Sequence, residues 1–201
     1  MEKLSKTAKV LDKIVNVLSG ISIALVIMSA ILLIIAAVIP ENQFYRLADL
    51  SATSISFGFI EMQLSEAIPI QGPVRLAICI ILAGLMTVSG LLVRGFRLLQ
   101  NILAPMKESR PFDSSVPGNI RKLALLTLIG GIVSTIFTTA IGYAEILMYD
   151  LPSLLPEGLV AKYTFQVHTD GTFLLAAALL FLLSYVFQYG AELQRESDET
   201  L

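Results

Sequence analysis

The chain has no tryptophan, one cysteine and one histidine in 201 residues, and only 15% of its residues are charged. Each shortage excludes something. Cys79 alone cannot form an intrachain disulfide or a cysteine-ligated metal site, and it reads as a small core or lipid-facing residue. His168 has only Asp170 close by in sequence, and isolated His-x-Asp spacing is common in loops, so it reads as a solvent-facing residue. No Ser/His/Asp set, glycine-rich phosphate loop, HExxH sequence or clustered acidic pair within an apolar run is present. An enzyme is therefore not expected, nor a cofactor or metal. A net charge of −2 with no long basic block argues against direct nucleic-acid binding.

What the chain has is apolar length. Hydrophobic residues make up 55% of it, and the mean hydropathy is +0.78. Four runs stand out: 15–39, 76–93, 123–148 and 172–190. A helix rises about 1.5 Å per residue and the bilayer hydrocarbon is about 30 Å thick, so each run is long enough to cross. The expected fold is an all-α integral membrane protein: one domain over 1–201, a bundle of four transmembrane helices in the lipid bilayer. The first run is too long for a cleavable signal and lacks a small-x-small cleavage site, so it reads as a retained anchor.

The positive-inside rule sets the orientation. Lys3, Lys6, Lys9, Lys13, Arg94, Arg97, Lys107, Arg110, Arg121, Lys122 and Arg195 fall on one side, against Arg46, Arg75 and Lys162 on the other. Both termini and the central hairpin 94–122 are expected to be cytoplasmic, with outer loops at 40–75 and 149–171. Alternation in Ser54-Ile55-Ser56-Phe57-Gly58-Phe59 and in Lys162-Tyr163-Thr164-Phe165-Gln166-Val167-His168 reads as strands. Paired across the two outer loops they would form a small extracytoplasmic β element; the alternative is an amphipathic segment lying on lipid.

On the inner side, Leu98, Leu99, Ile102, Leu103 and Met106 recur at helical spacing, so the second helix is expected to run past the membrane and end between Pro105 and Arg110. Pro111-Phe112-Asp113-Ser114-Ser115 reads as a turn, with Pro117, Gly118 and Asn119 leading into the third helix. That helix carries two rows of small or hydroxyl residues, Gly130, Ser134, Thr138, Gly142 and Gly131, Thr135, Thr139, which predict the centre of the bundle. Ser22, Ser29, Gly84, Thr87, Ala177 and Ser184 are the expected facing residues. The rows read as packing, or alternatively as a polar conduit. Glu145 is the one carboxylate within a predicted span, near its outer end, where water or Arg75 could reach it. Glu145, Thr135, Thr138 and Thr139 form the candidate intramembrane polar site.

The chain ends in Gly190-Ala191-Glu192-Leu193-Gln194-Arg195-Glu196-Ser197-Asp198-Glu199-Thr200-Leu201. With the central Pro111-Phe112, this tract resembles the bacterial four-span membrane family known as domain of unknown function 2975, the YoaS-like proteins. The resemblance covers the four-span layout, and its specific parts are these two patches. It implies a bacterial cytoplasmic-membrane protein that partners a small helix-turn-helix regulator. From the residues themselves, the carboxylates of the tail are expected to pair with Arg110, Arg121 or Lys122, with Phe112 filling the groove between. The candidate partner contact is Pro111, Phe112, Arg121, Gln194, Glu196 and Asp198. Two functions follow as expectations. One is a sensor or sequestering partner of a helix-turn-helix transcription regulator. The other is a small-molecule transporter or tolerance protein with an outward-facing cavity, formed as a homodimer.

Overall fold

A computed structural model describes residues 2–39, 51–57, 60–69, 74–149 and 171–199. The order of elements is α1 (Glu2–Val38), β1 (Ser51–Phe57), β2 (Ile60–Pro69), α2 (Val74–Lys107), α3 (Ser115–Tyr149) and α4 (Thr172–Glu199). All four helices are long and apolar enough to cross a membrane, and the chain is a multi-pass membrane protein. Every helix runs beyond its apolar run at the end carrying the N-terminus, the central hairpin and the C-terminal tail.

The chain groups into two compact units. The first comprises Met1–Met28, Leu85–Thr135 and Thr169–Leu201; the second comprises Ser29–Gly84 and Ile136–His168. In the first unit, α1 buries Ala8, Val15, Ser19 and Ser22 along one narrow stripe. Three bonds tie this stripe to the end of α2. The Lys107 ammonium pairs with Asp12 at 2.9 Å, Gln100 Nε2 donates to Asn16 Oδ1 at 3.4 Å, and the Ser5 hydroxyl donates to the Lys107 carbonyl at 2.7 Å. The last of these satisfies a carbonyl that the end of a helix leaves without an intrahelical partner.

Opposite, α3 and α4 run antiparallel. The Ser184 hydroxyl donates to the Pro117 carbonyl at 2.9 Å, and the ring of Phe173 lies directly over Gly131. Ile102, Val116 and Ile120 form a buried cluster with Met106, Leu123, Leu180 and Phe187 packed around it, joining α2, α3 and α4.

In the second unit the Arg75 guanidinium donates to the carbonyl of Ala37, capping the negative end of α1. A Cβ at Gly84 would come within 2.9 Å of the Phe137 ring, so α2 and α3 approach closely there. β1 pairs antiparallel with β2, from Phe57 opposite Ile60 to Ser51 opposite Pro69, with a shift of register between Ala52 and Ser54.

The strand pairing differs from the expected one: among the described residues it is made within one connecting segment. Closing a turn of a few residues costs far less chain entropy than closing roughly a hundred. The expected partner strand at 162–168 lies outside the described residues. Nor is α3 the buried centre: from Leu125 to Tyr143 none of its residues is buried. Among the described residues the buried hydroxyls are Ser19, Ser22 and Ser29 on α1, Ser89 on α2 and Ser184 on α4. Of the residues expected to face inward, Ser22, Ser29, Gly84, Ala177 and Ser184 are buried.

Candidate functional site

The site is built where α2 stops and α3 starts. Pro105 stands in the last turn of α2, and two hydrogen bonds close that turn: Arg110 N to Pro105 O at 3.0 Å and Ser109 N to Met106 O at 3.1 Å. This six-to-one and five-to-two pattern is a Schellman stop, with Ser109 in the left-handed region at φ 63°. α3 then begins on Asp113. Its Oδ1 accepts the backbone N–H of Ser115 at 3.0 Å and the Ser115 hydroxyl at 2.7 Å. Those two bonds hold the Asp113 carboxyl below the usual carboxylate range, and Arg110 at 3.7 Å adds to the effect. The Arg110 guanidinium is itself raised, chiefly by its bond to Glu108.

Stop and cap together fix the chain between them, and so place Phe112. Its ring lies against Gly190 of α4, where an added Cβ would meet it at 2.5 Å, and stacks tilted on Phe187 with centroids 5.7 Å apart. Phe112 nonetheless remains 40% exposed. The exposed edge forms one wall of an open groove of about 610 Å³. Ser114, Pro117 and Gly118 continue that wall, and Gln188, Glu192, Gln194 and Arg195 of α4 form the other. Gln188 Nε2 donates to Glu192 Oε1 at 3.1 Å, so this wall is ordered along its own helix.

The structure therefore brings Phe112 and Gln194 to one groove, with Pro111 half-buried in the turn beside it. Arg121 is exposed on α3 and Glu196 is exposed on α4. Asp198 lies on the α4 backbone, and its side chain is outside the described residues. Arg110 pairs with Glu108 and Asp113 of its own turn, and Arg195 with Glu199 of its own helix at 3.6 Å. A ring seated on a glycine ties the hairpin to α4. Exposed charges gain little by crossing to a neighbour when a local partner is available, whereas an aromatic ring gains by leaving water.

The candidate intramembrane residues all lie on α3. Thr135 Oγ1 donates to the Gly131 carbonyl of its own helix at 3.0 Å. Thr139 is half-buried and Thr138 exposed. Glu145 is helical, with its side chain outside the described residues, as are His168 and Asp170 entirely. Among the described residues no group of three or more His, Cys, Asp or Glu could hold a metal ion.

Sequence reasoning missed Ser109, Asp113, Gly190 and Glu192 as parts of the site. Asp113 was open to detection, since Asp-Ser-Ser ahead of an apolar run is an N-cap signal. Gly190 was not, because a glycine notch is defined by the ring that fills it. Comparison with protein-family models, curated proteins and solved structures finds no match.

Proposed function

We propose that the protein is a non-enzymatic docking protein of the bacterial cytoplasmic membrane, holding or releasing a small helix-turn-helix regulator at its hairpin and C-terminal tail. The observation that carries this reading is the groove between Phe112 and the α4 exit, with a large aromatic edge left exposed at its wall. Half-exposed aromatic anchors beside hydrogen-bonding side chains suit a protein partner, which buries the ring and pairs with Gln188, Gln194 and Arg195. The excess of Lys and Arg at this end supports a cytoplasmic position for the groove and both termini. The likeness of Pro111-Phe112 and the terminal tract to the domain of unknown function 2975 family supports the class of partner. In this reading the membrane spans locate the groove, and a shift of α4 against the hairpin changes its width.

The test is co-purification from the native membrane in mild detergent, with wild type, Phe112→Glu and a chain lacking Leu193–Leu201. A small helix-turn-helix protein is expected with wild type and is lost from both variants. Retention of that protein by both variants, or its absence from wild type, overturns the reading.

A further inference from the structure

Apolar seams that the protomer itself leaves uncovered run along the helices of the first unit, and those of α1 and α4 reach the charged ends. On α1, Val10, Ile14, Val17 and Ile21 are 59, 50, 63 and 53% exposed, on the side opposite the buried Ala8, Val15 and Ser22. On α4, Leu182, Val186, Tyr189 and Leu193 are 62, 63, 65 and 48% exposed, opposite the buried Ala177 and Ser184. Both sets recur at intervals of four, three and four residues, the spacing of a coiled-coil seam.

Lipid accounts for only part of either seam. On α4 the seam runs past the end of the apolar run 172–190 to Leu193, beside the exposed Glu192 and Glu196. On α1, the exposed Lys9, Lys13 and Asn16 are interleaved with Val10 and Ile14. Both seams thus extend into the water-facing layer, where burying apolar surface drives association.

They also lie at the same height and run in opposite directions. α1 is tied to α2 at Asp12–Lys107 and Asn16–Gln100, and the same stretch of α2, Ile102 to Met106, packs with Leu180 and Phe187 of α4. Their borders carry opposite charge. Lys9 and Lys13 flank the α1 seam, while Glu192 and Glu196 flank that of α4; all four are exposed. Pairing α1 with α1 would set lysines against lysines, and α4 with α4 would set carboxylates against carboxylates.

We infer that α1 of one copy packs antiparallel against α4 of a second copy, the lysines of the first beside the carboxylates of the second. Made reciprocally, the contact closes a dimer. It shares Glu192 with the wall of the docking groove, and its test does not read partner retention.

Chains carrying Ile14→Cys and chains carrying Tyr189→Cys, both with Cys79→Ser and with different affinity tags, are co-expressed and oxidised in the membrane. A disulfide-linked species bearing both tags is expected only when both cysteines are present. Lys9→Glu with Lys13→Glu on the first chain should reduce that species by about tenfold, and Glu192→Lys with Glu196→Lys on the second should restore it. Absence of the mixed species from folded protein, cross-links only between like helices, or a charge reversal that is not restored overturns the inference. The unrestored result is what lysines serving only anionic lipid headgroups would give.

Discussion

The ring of Phe112 occupies the space that a side chain on Gly190 would need, so the hairpin between α2 and α3 is keyed to one residue of α4. The key has two parts and fails if either changes. Gly190→Ala places a methyl 2.5 Å from the ring and should displace it, and Phe112→Ala should cost about 1–2 kcal/mol, the scale of a half-buried aromatic pair. Since both changes break one contact, the double variant should be little worse than Phe112→Ala alone. Thermal unfolding in detergent, followed by circular dichroism, checks this. Additive losses would mean that the two residues act separately.

Ser109 sits at φ 63° in the Schellman stop of α2, a conformation that glycine adopts without cost. Ser109→Gly should therefore stabilise the protein, or cost nothing, within about 1 kcal/mol, because both stop hydrogen bonds survive. Ser109→Val should destabilise it by more than that, since a β-branched residue is strained there. Urea titration of the three proteins in one detergent decides the order.

Asp113 makes the hairpin sensitive to acid. Its carboxyl is lowered in the folded protein, chiefly by the Ser115 bonds, so the stability it contributes is fully present above the ordinary carboxylate pKa near 4. That contribution is lost as pH falls through the lowered folded value. Melting temperature should be insensitive to Asp113 between pH 5 and 8 and should fall below about pH 4. Asp113→Asn should keep the cap and remove this residue's share of the acid dependence, while Asp113→Ala should cost about 1 kcal/mol at neutral pH. An unchanged acid limb in Asp113→Asn would show that other carboxylates set it.

What could be read from the sequence divides along physical lines. Long apolar runs mark membrane helices because lipid offers the backbone no other partners, and the described helices contain those runs, short only of Ile39 at the end of the first. Ser22, Ser29 and Ser184 were recognisable as inward-facing because small residues permit close approach. The site was legible only as far as Phe112 and Gln194. Its other wall depends on the register between α3 and α4, set by Pro117–Ser184 and Phe112–Gly190, and no residue pattern within either helix encodes that register. Arg110 has Glu108 and Asp113 within its own turn, and local partners require less ordering than distant ones.

The adjacent glycines of α3 separate packing from mere composition most sharply. Gly130 and Gly131 begin two rows that look equivalent in sequence, yet a Cβ at Gly130 meets nothing within 4 Å, whereas one at Gly131 would overlap the ring of Phe173. Gly130→Ala should be neutral or slightly stabilising, because alanine has the higher helix propensity and fills open space. Gly131→Ala must move either the ring or the start of α4, which should cost about 1–3 kcal/mol. Phe173→Leu should recover part of that loss in the Gly131→Ala background by vacating the ring's place, a coupling that a general weakening of α3 would not produce. Unfolding of wild type, the two alanine variants, Phe173→Leu alone and the Gly131→Ala/Phe173→Leu double variant in the same detergent measures it. Equal losses at Gly130 and Gly131 would instead mean that both rows face packed neighbours.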